Sequence, residues 1–137
     1  MSAGEPRRAV AHVDGGCFPN PGRGGWGVVL VTGDDRRELW DGKENSTNQR
    51  AEIQAAITAL EALDAPTKIE IVSDSMYLTN CGSGKWKRKT NRDLWERLDA
   101  AAAPHQVEYR WIRGHAGNPG NERAHVLAML AIRRGVS

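Results

Sequence analysis

The sequence predicts an α/β fold: one mixed sheet, part antiparallel meander and part parallel strands, flanked by helices. Three observations carry this. Residues 9 to 43 hold three β-rich segments separated only by turn signals. At Thr47 the apolar period changes to that of a helix. From residue 68 onward, strands and helices alternate, the order that builds parallel pairs.

Each element follows from its residues. AVAHVD, residues 9 to 14, reads as a strand ending on an acid, and the Gly/Pro-rich GGCFPNPGRGG follows as a loop. WGVVLVT is apolar and rich in β-branched residues, GDD turns the chain, and RRELWDGK is a third strand exposed on one face. From Thr47 to Leu63, apolar residues recur at Ile53, Ile57, Leu60 and Leu63. Ser46 or Thr47 caps this helix, and Asp64 with Pro66 ends it. KIEIVSD, residues 68 to 74, is a buried strand that again ends on an acid. One or two helical turns over 75 to 81 come next, then a helix from Asn91 to Ala103 with Leu94, Leu98 and Ala101 inward. VEYRWI, 107 to 112, alternates as a strand does. Asn118 and Pro119 suit the cap and first position of a last helix, whose stripe is Ala124, Leu127, Ala128 and Ala131.

No repeat or linker divides the 137 residues, so a single domain is expected over 9 to 134, with short tails at 1 to 8 and 135 to 137. No apolar run reaches the roughly 20 residues of a membrane span. MSAGEPRRAV lacks the apolar stretch of a signal peptide. Cys17 and Cys81 belong to no CxxC pair, and read as reduced thiols of a cytoplasmic protein. A net charge of +2 says little, but KWKRKTNR, residues 85 to 92, has five positive charges and no acid. That segment is either a solvated loop or a patch for polyanions.

Chemistry enters with the acids. In a sheet of this kind, ligands gather at the carboxyl ends of the parallel strands, where Asp14 and Asp74 both fall. One such Asp is an ordinary turn residue. Two on neighbouring strands repel one another unless a cation lies between them, and a hard divalent ion suits carboxylates. Glu52, at the edge of the buried helical stripe beside Ile53, makes a third.

The segments VDGGCFPNPGRGGWG, STNQRAEIQAAITALEAL, VSDSMY, NRDLWERLD and WIRGHAGNPGNERAHVLA span residues from about 9 to 131. In order and spacing they resemble ribonuclease H of type 1. The resemblance implies a five-stranded mixed sheet and hydrolysis of the RNA strand of RNA–DNA hybrids to 5′-phosphate and 3′-hydroxyl ends. It also implies two divalent ions, Mg²⁺ or Mn²⁺, held by four acids. Asp14, Glu52 and Asp74 occupy three of those positions. Most of the family has an Asp ten residues after the His of GHAG; here that place holds His125.

His115 matches the family's mobile histidine, which moves a proton to the leaving oxygen or assists product release. His125 leaves three readings open: a metal ligand, direct or through water; a residue that only shapes the pocket; or the mark of a module that binds hybrids without cutting them. As a ligand it brings one negative charge fewer than aspartate and favours Mn²⁺ over Mg²⁺. His12 and His105 are expected to be structural. A related metal nuclease, such as an integrase or resolvase relative, is the further alternative, but the GHAG loop and the Asn/Gln-rich helix start favour hybrids.

The resemblance also implies how a hybrid is read, by shape and 2′-hydroxyls in the minor groove. Cys17, Asn20, Asn48 and Gln49 stand at the groove-contacting positions, and Thr47 and Asn91 at those that hold a DNA phosphate. Asn48 and Gln49 open the first helix, where free N–H groups favour phosphate. Two departures stand out: Met76 replaces a common glutamine, and the basic segment is short. Lys85, Lys87, Arg88 and Lys89 are expected on phosphates, with Trp86 beside sugars or in the core. Binding is therefore expected to be weak and salt-sensitive, by a chain acting as a monomer.

Overall fold

A computed structural model describes residues 7 to 134. The elements in order are β1 (Arg7–Cys17), β2 (Gly22–Thr32), β3 (Asp35–Ser46), α1 (Asn48–Glu61), β4 (Thr67–Ser73), α2 (Met76–Gly82), α3 (Arg92–Ala102), β5 (Gln106–Trp111) and α4 (Pro119–Arg134). They form one five-stranded sheet ordered β3-β2-β1-β4-β5. β1–β2 and β2–β3 are antiparallel; β1–β4 and β4–β5 are parallel. The meander with a parallel extension is the expected class.

The first hairpin is longer than expected. β1 begins at Arg7, which pairs with Thr67, so Arg7 and Arg8 belong to the sheet rather than to a tail. The tail residues 1 to 6 and 135 to 137 lie outside the described residues. At its other end β1 runs to Cys17, opposite Gly24 of β2. The glycine-rich stretch read as loop is therefore mostly strand, and only residues 18 to 21 connect the two. Gly25 and Gly27 explain it: a Cβ at Gly27 would stand 2.4 Å from the Ala124 carbonyl oxygen of α4. Missing side chains here let a helix lie on the strand.

The two faces differ. Ala9, Ala11 and Val13 of β1, Val28 of β2, and Ile69 and Ile71 of β4 meet α1, α2 and α3 in the main core. Val29, one residue on and so on the opposite face, meets Ala124 and Leu127 of α4. All four residues of the expected α4 stripe are buried. Of the inward trio in α3, Leu94 and Leu98 are buried and Ala101 partly so, and Trp95 joins them. Thr47, not Ser46, caps α1: its hydroxyl accepts from Arg50 N at 3.1 Å. Asn118 Oδ1 accepts from Asn121 N at 3.0 Å and starts α4.

Among the described residues, no helix is long and apolar enough to cross a membrane. His105 is structural, its Nδ1 accepting from Thr67 N at 3.1 Å. His12 packs against Gly120, and its Nδ1 is buried without a partner.

Candidate active site

Three elements bring the acids together. β1 and β4 are parallel neighbours in which His12 pairs with Val72, so two residues further on Asp14 comes level with Asp74. Glu52 arrives on α1, which lies unusually close to β1. A Cβ on Gly15 would stand 2.4 Å from the backbone carbon and oxygen of Ala51 and 2.6 Å from Glu52 N. Only a glycine beside Asp14 permits that approach. α4 approaches from the other face over Gly27, which pairs with Asp14, and this brings His125, next to Ala124, to the same point.

Asp14, Glu52, Asp74, His115 and His125 all line one cleft of about 290 Å³, walled by Asn48, Met129 and Ile132. His125 Nδ1 lies 2.8 Å from Asp14 Oδ2, the distance of an imidazole N–H donating to a carboxylate. The His115 and His125 rings meet edge to face, 5.3 Å between centroids. His115 is in a left-handed backbone conformation, φ 56°. On a non-glycine residue this marks a constrained loop. The Ser75 hydroxyl donates to Glu52 Oε1 at 2.8 Å and accepts from Leu78 N at 3.0 Å, so the cap of α2 also holds the acid.

The electrostatics are those of crowded acids. Burial first, then the charge of Asp74, pushes Asp14 up to about 6, against the opposing hydrogen bond from His125. Burial pushes Glu52 up to about 7; the Ser75 hydroxyl opposes this, and the charges of Asp14 and Asp74 reinforce it. Largely buried carboxylates, with Asp74 raising Asp14 and both raising Glu52, form a site of hard oxygen donors deficient in positive charge. That chemistry fits Mg²⁺ or Mn²⁺. Among the described residues no three His, Cys, Asp or Glu side chains stand close enough together to hold one ion by themselves. An open cleft suits these ions, which keep several waters and take further ligands from phosphate.

Other expected contact residues divide. Asn48 lines the cleft, but its Oδ1 accepts from Cys17 N at 2.8 Å and its own N donates to Asn20 Oδ1 at 3.2 Å. With Arg50 N capped by Thr47, two of the first three amides of α1 are already satisfied. This corrects the expectation of a free helix start. Cys17 is corrected too: its thiol is buried against the carbonyls of Pro19 and Ser46, so its side chain is not offered to a groove.

Thr47 and Asn91 are linked through Arg50, which sequence reasoning missed although it lies three residues from Thr47. Arg50 N bonds Thr47, while its guanidinium donates to Asn91 Oδ1 at 3.3 Å and pairs with Asp93 at 2.7 Å. Gln49, Lys85, Trp86 and Lys87 share a separate depression with Tyr77. Trp86 is exposed rather than in the core. Arg88 is corrected: it lies over the Trp95 ring, donates to Cys81 O at 3.0 Å and pairs with Asp99 at 2.7 Å, so it braces α2 and α3.

Comparison with known proteins agrees with this geometry. The RNase H family model matches residues 6 to 133. Ribonuclease H of Halorhodospira halophila is 48% identical, covering 89% of this chain and 91% of that protein. Ribonuclease H of Rhodopseudomonas palustris (strain HaA2) is 47% identical over 90% of this chain and 84% of that protein. The crystal structure of RNase H1 from the archaeon Halobacterium salinarum superposes with a TM-score of 0.80 at 30% identity, covering 92% of this chain and 98% of that one.

Proposed function

The chain belongs to the RNase H family, and on that premise we propose that it hydrolyses the RNA strand of RNA–DNA hybrids with two divalent ions. The observation that carries the reading is the convergence of Asp14, Glu52 and Asp74 in one cleft, with two of the three carboxylates raised far above their ordinary range.

Asp14, Glu52 and Asp74 would hold the ions, with His125 as the fourth group. A bound divalent cation supplies a water of lowered pKa and positive charge for the departing 3′ oxygen. The chain's own residues do the rest. His125 steadies Asp14 through Oδ2. Ser75 fixes the face that Glu52 presents. His115, exposed on its loop, gives a proton to the 3′ oxygen as the RNA strand parts. Asn20, Asn48 and Gln49 meet the minor groove, Thr47 and Asn91 a DNA phosphate, and Lys85 and Lys87 the backbone beyond.

The imidazole on Asp14 favours one second reading, a hybrid-binding module that cuts poorly, because it takes a lone pair that a metal would use. One assay separates the two. Labelled hybrid, RNA duplex and DNA duplex are incubated with Mg²⁺ or Mn²⁺ and the wild type or Asp14→Asn. Cleavage confined to the RNA of the hybrid, lowered more than about a hundredfold by Asp14→Asn, is expected. Binding without cleavage in either metal selects the second reading; undiminished cleavage by Asp14→Asn removes the first.

A further inference from the structure

Trp111 ends β5 with 43% of its surface exposed, at the carboxyl edge of the sheet. An indole is amphipathic, an apolar ring with an N–H that can be engaged. Here it is: the indole Nε1 donates to the backbone carbonyl of Asp74 at 3.0 Å. That carbonyl belongs to the residue between the last residue of β4 and Ser75, the cap of α2. The same loop touches Asp74 again three residues later. Gly114 packs so close that a Cβ there would stand 2.7 Å from Asp74 Oδ2. Ile112 N, between them, donates to Ser73 O at 3.0 Å. The start of the β5–α4 loop thus grips Asp74 and its neighbour at three points before it carries His115 to the cleft.

We propose that Trp111 is a positioning residue for Asp74, holding the carboxylate in its ion-binding orientation through the main chain, with Gly114 as the floor beneath it. The inference rests on the reading of Asp74 as a metal ligand. A ligand's support through its own backbone is the kind of outer contact whose loss changes metal affinity about tenfold or more. It also ties the acid and His115 to one connection, so that displacing the loop displaces both.

The test compares wild type, Trp111→Phe, Gly114→Ala and Asp74→Asn by calorimetric titration with Mn²⁺ and by hybrid cleavage kinetics. Trp111→Phe keeps the ring and loses the N–H donor. Gly114→Ala leaves Trp111 intact and crowds the carboxylate directly, so it serves if the first variant folds poorly. Both are expected to weaken Mn²⁺ binding and lower kcat about tenfold, with the KM for hybrid unchanged. A structural role alone would lower the melting temperature and leave Mn²⁺ affinity and kcat as they were, and that result overturns the proposal. Asp74→Asn separates the layers: if it too binds Mn²⁺ like the wild type, the metal-site reading fails. If Asp74→Asn loses Mn²⁺ and the other two do not, only the positioning role of Trp111 fails.

Discussion

His125 sits where the resemblance to type 1 ribonuclease H leads one to expect an aspartate, and its chemistry shows what one side chain changes. The imidazole donates to Asp14 Oδ2 at 2.8 Å, and so opposes the upward push of burial on that acid. It adds no negative charge of its own. If it ligates, the site is one charge poorer and its nitrogen donor favours Mn²⁺. His125→Asp is therefore expected to lower the Mg²⁺ concentration for half-maximal cleavage about tenfold and to narrow the advantage of Mn²⁺. Titrating both variants with both metals checks this, and identical profiles would deny His125 a ligand role. The residues of this site were legible to unequal degrees. Asp14 and Asp74 announce themselves as acids closing apolar runs, although β1 itself continues to Cys17. Ser75 and Trp111 do not, because the first acts through a hydroxyl on a helix cap and the second through an indole reaching to a main-chain carbonyl.

At the scale of elements, the site exists because two helices come closer to the sheet than side chains normally allow. α1 lies against Gly15, and α4 against Gly27. These contacts meet backbone atoms, which cannot rotate aside. Gly15→Ala is expected to destabilise the protein by about 2–3 kcal/mol and to cut hybrid cleavage further than instability alone explains, since it drives Glu52 from Asp14. Urea unfolding and cleavage rates measure both; a stability change below about 0.5 kcal/mol would contradict the packing argument. The same glycines explain where the sequence misled. A run of Gly with two prolines signals loop by local propensity. Pairing with β1 and cover by α4 override that signal, and most of the run is strand. The helix periods hold because they reflect burial, which the tertiary structure preserves, except at Leu63, which lies beyond the end of α1 at Glu61. The caps at Thr47 and Asn118 were legible for the same reason as their chemistry is local.

Across the whole molecule, charge is arranged rather than abundant. A net charge of +2 conceals exposed Lys85 and Lys87 beside Trp86 and Gln49. Each lysine replaced by alanine is expected to reduce the slope of log K against log salt for hybrid binding by about one. Arg88→Ala should leave that slope alone and lower stability instead, because its guanidinium is committed to Cys81 O and Asp99. Composition could locate the basic segment; it could not say which cations turn inward, since that depends on Trp95 and Asp99 arriving on α3.

The site is built from carboxylates that resist ionising together, and melting the metal-free protein across pH measures this. Burial raises Asp14 to about 6 and Glu52 to about 7, above their unfolded values. A group whose folded pKa is raised contributes stability that is complete below the unfolded pKa and lost as pH rises through the folded one. The melting temperature of the metal-free wild type should therefore fall, relative to that of Glu52→Gln, as pH rises from about 4 to about 8. Mg²⁺ should restore it at pH 8 and do little near pH 4. Parallel curves for the two proteins, with no response to Mg²⁺ at pH 8, would contradict a shared cation at Asp14, Glu52 and Asp74.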